Sequence, residues 1–171
     1  MPRLDGKDSF TALRAINPDI IVVSLTGFGQ EGPSADYMAY GPSGGAFAGL
    51  YAANGYPDED KAYETGVAVG DPGTGLTAAF ATVAAIVAKR RTGRASRLDI
   101  AMVEAIGATV GELWMQYLSE GVPPGPTGNQ DPQWAPHGVY ATSDSDEGGE
   151  WVTIACATDA QWQALVEVAG K

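Results

Sequence analysis

The run Ile20-Ile21-Val22-Val23-Ser24-Leu25 is apolar and largely β-branched, with Asn17-Pro18 before it and Gly27 after it. A run of this kind fits a strand covered on both faces, the setting that helices create around a parallel sheet. It predicts an α/β fold. A short helix over 8–16 precedes the strand. The loop Thr26-Gly27-Phe28-Gly29-Gln30-Glu31-Gly32-Pro33 follows at its C-terminal end, where open α/β sheets place ligands. Residues 38–52 are small and apolar and predict a closely packed helix. Asn54-Gly55-Tyr56-Pro57, with the acidic residues Asp58, Glu59 and Asp60, predicts a solvated turn. A parallel strand needs a parallel neighbour, and this stretch supplies one convincing strand. Residues 1–120 are therefore expected to be part of a larger domain.

Asp71-Pro72 opens the clearest helix, with Asp71 as N-cap, Pro72 at the first helical position, an Ala-rich body and a stop at Gly93. Lys89, Arg90, Arg91, Arg94 and Arg97 lie close together near its end. Two roles are open to them: complementing the helix macrodipole or contacting a phosphate. A second helix over about 100–119 is indicated by Val103, Ile106, Val110, Leu113, Trp114 and Tyr117, which recur at helical spacing. The stretch 121–137 is too rich in Pro and Gly for regular structure and reads as a linker. Beyond it, 138–141 and 151–155 predict a hairpin joined by the acidic loop 142–150. A last helix is capped by Thr158 with Gln161, shows Trp162, Leu165 and Val166 on one face, and ends near Gly170. Two strands and one helix bury too little to stand alone, so 138–171 reads as the start of a smaller, incomplete α+β domain.

The bulk properties narrow the function. Ten Lys and Arg against 21 Asp and Glu give a formal net charge of −11, a field that repels nucleic acid. The N-terminal MPRLDGKDSF lacks the apolar run of a signal peptide, and the single cysteine, Cys156, forms no internal disulfide. Both favour the cytoplasm. No uninterrupted apolar stretch reaches the roughly 20 residues of a membrane span, so no membrane role is expected. One histidine, His137, and one cysteine make neither a zinc site nor a hydrolase triad, and no Gly-rich segment has nucleotide-loop spacing.

Read in order, several segments resemble the class III CoA-transferase family, which includes the α-methylacyl-CoA racemases. Residues 16–33 are similar to its strand and loop NPxxIxxSxxGFGQxGP, and Gly70-Asp71-Pro72-Gly73-Thr74-Gly75 to its nucleophile turn. Arg90 to Ile100 resembles the RxxTGxGQxVD block, with Ala95-Ser96 where Gly-Gln is usual, and Val103-Glu104-Ala105 continues it. Gly128-Asn129, Ala135 to Tyr140 and Trp151 to Ala155 look like the start of the family's small domain. The resemblance runs from about residue 10 to the end.

The resemblance implies a Rossmann-like large domain over 1–120, an intertwined homodimer with active sites between subunits, and an internal fragment of a longer chain, inactive by itself. It implies transfer of CoA from an acyl-CoA thioester to a carboxylic acid through an aspartyl-CoA thioester on Asp71, with CoA as substrate and no other cofactor. Gly27, Phe28, Gly29 and Gln30 are then expected to shape the CoA or acyl pocket, Tyr40 to lie near the thioester, and Gly70 to allow its close approach. Without the resemblance, Asp71 is a plain N-cap, 27–30 a strand-to-loop turn and Tyr40 a packed aromatic. Capping and nucleophilic attack by Asp71 are compatible. Some transferases carry Glu just after this Tyr, where Gly41 stands here. Two alternatives remain. A racemase needs an acid/base pair at the α-carbon, and the family's racemases have a His where Tyr40 stands. A non-catalytic remnant retained for dimer formation is the other.

Overall fold

The computed structural model describes residues 6–142 and 149–170. They fall into two compact units, Met1–Ala53 with Ala62–Pro124, and Asn54–Lys61 with Gly125–Lys171.

In the first unit, helix α1 (Gly6–Ile16) leads into strand β1 (Val22–Thr26), which ends at the glycine loop. The neighbour that β1 requires is β2 (Arg97–Ala101), a strand the sequence pattern did not reveal. The two run parallel, with Val22 level with Arg97 and Thr26 level with Ala101. β1 is not sealed on both faces as its composition predicts: Leu25 is 51% exposed, and the described residues give the strand a single partner.

The small apolar stretch forms α2 (Gly41–Phe47) and a 3-10 turn at Leu50–Ala52, shorter than the predicted helix. Its glycines are packing sites. A Cβ on Gly45 would lie 2.9 Å from the Tyr51 hydroxyl, and one on Gly44 would lie 2.9 Å from Met102 Sδ. The predicted helix 100–119 is two helices, α4 (Met102–Thr109) and α5 (Gly111–Glu120), broken at Val110, whose φ of −108° and ψ of 28° leave the helical region. Ala48, Met102 and Ile106 form the core of this unit.

Helix α3 (Gly70–Thr92) ends at Gly93 in the left-handed conformation, φ 70°, as its sequence predicts. Its start differs. Val69 is the N-cap residue, so Asp71 lies inside the first turn and makes no cap. The helix buries a narrow stripe of small residues, Gly70, Thr74, Ala78 and Ala85, and packs against α2, α4 and both strands. Its other side keeps Leu76, Phe80, Val83 and Val87 exposed, one apolar stripe at helical spacing. By length and composition alone α3 could cross a bilayer, a property core helices share.

In the second unit β3 (His137–Ala141) pairs antiparallel with β4 (Trp151–Ala155). Residues 143–148 of the acidic loop between them lie outside the described residues. Helix α6 (Asp159–Val168) follows, with Thr158 and Gln161 forming the reciprocal cap that their spacing predicts. The segment read as a solvated turn belongs to this unit: a Cβ on Gly128, φ 59°, would lie 2.7 Å from the Tyr56 ring.

Candidate active site

Asp71 is an exposed residue in the first turn of α3. The backbone N–H groups of a first helical turn have no intrahelical acceptor, and the macrodipole there favours negative charge. Pro72 has no N–H and the Gly73 N–H donates to Val69 O at 3.0 Å, so what this turn presents to a ligand is the Asp71 carboxylate. Thr74, one turn on, is buried, and its Oγ1 donates to Gly70 O at 2.6 Å, so its hydroxyl is committed to the helix.

Two close approaches fix the base of this turn. A Cβ on Gly70 would lie 2.9 Å from Gly41 Cα, and a Cβ on Gly41 would lie 2.4 Å from Asp71 Oδ2 and 3.0 Å from Ala68 Cβ. The start of α2 and the start of α3 therefore meet backbone to backbone, with the Asp71 carboxylate over Gly41. Tyr40 precedes α2, and its N–H donates to Ser43 Oγ at 2.9 Å.

A cavity of about 840 Å³ opens beside the carboxylate. Its wall includes Leu25, Thr26 and Gly27 from the end of β1, the segment 35–40, and Thr74 and Met102. Three residues singled out in the sequence, Gly27, Tyr40 and Asp71, thus line one space, and Gly70 packs beside it. Among the described residues the lining carries two carboxylates, Asp36 and Asp71, and no Lys, Arg or His. Tyr37, Met38 and Tyr40 are 65%, 94% and 81% exposed, a run of large side chains around the mouth.

The family model for CoA-transferase family III matches residues 8–171. The chain belongs to that family. It is 33% identical over 161 residues to a succinate–glutarate CoA-transferase of Agrobacterium fabrum, covering 94% of this chain and 39% of the relative. It is 31% identical over 162 residues to an acetyl-CoA:oxalate CoA-transferase of Acetobacter aceti, covering 95% of this chain and 40% of the relative. Among solved structures, a CAIB/BAIF family protein from Brucella suis superimposes with a TM-score of 0.84 at 33% identity, covering 94% of this chain and 41% of that one. The chain thus spans about two fifths of the relatives it matches.

The remaining residues expected at the site lie on the other side of the glycine loop. Phe28 packs edge-on against Tyr37, centroids 6.0 Å apart, and against Phe47 at 4.9 Å, so its ring supports the cavity wall from behind. Phe28 and Gly29 face a second space of about 400 Å³ shared with Glu31, Arg97, Asp99 and Glu104. Gln30 turns toward β2: its N–H donates to Asp99 Oδ2 at 2.8 Å, and its side-chain oxygen accepts from Arg97.

The basic cluster sits at the far end of α3. Eighteen residues at 1.5 Å each separate Lys89 from Asp71, about 27 Å along the axis. Lys89 donates to Asp19 O, and Arg97 is held by Gln30, lies 3.9 Å from Glu31 and covers the Phe10 ring at 5.9 Å. These two cations are structural, while Arg90, Arg91 and Arg94 are exposed. His137 lies in the second unit, where its Nδ1 contacts Asn129 O at 2.8 Å. Sequence reasoning missed the wall segment 35–39 and the contact role of Gly41. The signal for Gly41 was that some transferases carry Glu at this place.

Proposed function

We propose that this chain is the nucleophile-bearing part of a class III CoA-transferase. The observation that carries the reading is the position of Asp71, on the first turn of α3 and at the wall of a cavity large enough for a thioester. One Asp71 oxygen attacks the acyl-CoA carbonyl, and the CoA thiolate leaves to give a mixed anhydride. The thiolate then attacks the Asp71 carbonyl, the donor acid departs as carboxylate, and an aspartyl-CoA thioester remains. An acceptor carboxylate attacks that thioester and expels the thiolate, which takes the acyl group from the second anhydride. Asp71 emerges unchanged. Every step uses carboxylates, a thioester and a thiolate, so no cofactor beyond CoA is called for.

The same residues weigh against racemisation. Proton exchange at an α-carbon needs a base near neutral pH, and the place of the racemases' histidine is held by Tyr40, on the cavity wall. In a full-length protein containing this chain, 2-methylacyl-CoA in deuterated water is expected to show no α-deuterium by NMR while CoA passes to an added acid. Rapid wash-in would overturn the transferase reading in favour of the racemase.

We further infer a homodimer that completes the site, so that this chain alone is inactive. The exposed stripe Leu76, Phe80, Val83 and Val87 is apolar surface of the kind that association buries. Phe80→Glu is expected to shift the full-length protein to monomer in sedimentation velocity and to cut activity with it. A dimer unchanged by Phe80→Glu together with Leu76→Glu would place the interface elsewhere.

A further inference from the structure

We propose that Arg97 and Asp99 are positioning residues that hold the glycine loop in the shape that builds the Asp71 cavity; the inference rests on the transferase reading above. Asp99 stands level with Ser24 of β1, and its carboxylate reaches past the strand end to accept the Gln30 N–H at 2.8 Å. Arg97, two residues earlier on the same face of β2, donates to the Gln30 side-chain oxygen and approaches Glu31 at 3.9 Å. One strand therefore grips both the backbone and the side chain of Gln30.

The start of the loop is held by its own Thr26 and by α4. Gly29, φ 85°, donates to Thr26 Oγ1 at 2.8 Å, and Gly27 O accepts from Val103 N at 3.1 Å. What Gln30 anchors is transmitted by contact. A Cβ on Gly27 would lie 2.7 Å from Ala39 Cβ, so the loop seats directly on the residue before Tyr40, and Gly41 behind Tyr40 seats the Asp71 carboxylate. A loop released from β2 can drift from Ala39, and the wall facing Asp71 drifts with it. Misplacements of about 1 Å are enough to cost on the order of a hundredfold in rate.

The charge pattern fits a clamp better than a ligand site. Arg97 shares its space with Glu31, Asp99 and Glu104, so three carboxylates face one guanidinium and leave no net positive charge for a phosphate. Arg97 and Asp99 belong to the block that resembles RxxTGxGQxVD, yet neither lines the Asp71 cavity.

The test uses Asp99→Ala, Asp99→Asn and Arg97→Met in the full-length protein, with two readouts. Amide hydrogen exchange of the peptide spanning 27–32 reports the clamp directly; it should quicken at least about tenfold in Asp99→Ala and change little in Asp99→Asn, whose amide oxygen still accepts the Gln30 N–H. The kcat for CoA transfer should fall about 10- to 100-fold in Asp99→Ala and Arg97→Met with KM for acyl-CoA within about threefold, and Asp99→Asn should recover most of it. Unchanged exchange, or faster exchange with unchanged kcat, overturns the proposal. If Asp99→Ala does not fold, Gln30→Ala removes the side-chain acceptor without altering β2 and must give the same loss of kcat. Wild-type protein without CoA transfer would remove the transferase reading, and with it the catalytic meaning of the clamp, whatever the exchange data show.

Discussion

Asp71→Asn is expected to lower CoA transfer at least about a thousandfold while the protein keeps its fold. Attack on a thioester needs the lone pair of a carboxylate, and a neutral amide oxygen is far weaker. The structural cost is small because Asp71 caps nothing: Val69 is the N-cap, and the first turn closes through Gly73 N to Val69 O at 3.0 Å. What Asn gives up is the charge–dipole attraction at an exposed helix start, about 0.3–1 kcal/mol. Asp71→Ala should be equally inactive and nearly as stable. Transfer rates with a urea titration check both halves. Near-normal transfer by Asp71→Asn would reduce Asp71 to a surface residue of α3.

Gly41→Ala is expected to lower kcat about 10- to 100-fold with KM little changed, through one added methyl group. Its Cβ would stand 2.4 Å from Asp71 Oδ2 and 3.0 Å from Ala68 Cβ. The carboxylate must then rotate or α3 must shift, and a displacement near 1 Å is enough for a loss of that order. Overpacking at such a backbone contact should also cost about 1–3 kcal/mol of stability. The resemblance allows Glu here in some transferases, so a family-level view treats position 41 as variable. In this chain the carboxylate and α3 occupy the space where a side chain would start. Steady-state kinetics beside thermal unfolding separate the effects: a stable variant with full kcat would show that Asp71 does not need the observed seat.

The elements whose signals are local were legible in the sequence. Thr158 with Gln161 marked a helix start, Gly93 a helix stop, and the apolar run ending at Leu25 a parallel strand. β2 was not legible because Arg97 and Asp99 break its apolar pattern, and the partners that explain them, Gln30 and Glu31, are far away in sequence. The break at Val110 escaped because the apolar spacing of Ile106, Val110 and Leu113 continues across it. The cap at Asp71 was misplaced because Asp-Pro imitates a helix start, whereas Gly70 already belongs to the helix and packs on Gly41. At the site, residue chemistry and the family resemblance selected Asp71, Tyr40 and Gly27, which share one cavity. The roles of Phe28, Gly29 and Gln30 depended on which way the loop faces, and that is set by hydrogen bonds to β2.

The most direct measurement is mass spectrometry of a full-length protein containing this chain after incubation with acyl-CoA and no acceptor acid. A CoA adduct is expected on the peptide carrying Gly70-Asp71-Pro72, cleaved by hydroxylamine, reduced by borohydride and absent from Asp71→Asn. An adduct on Asp99 or Glu104, or full transfer activity with no covalent adduct, would contradict it.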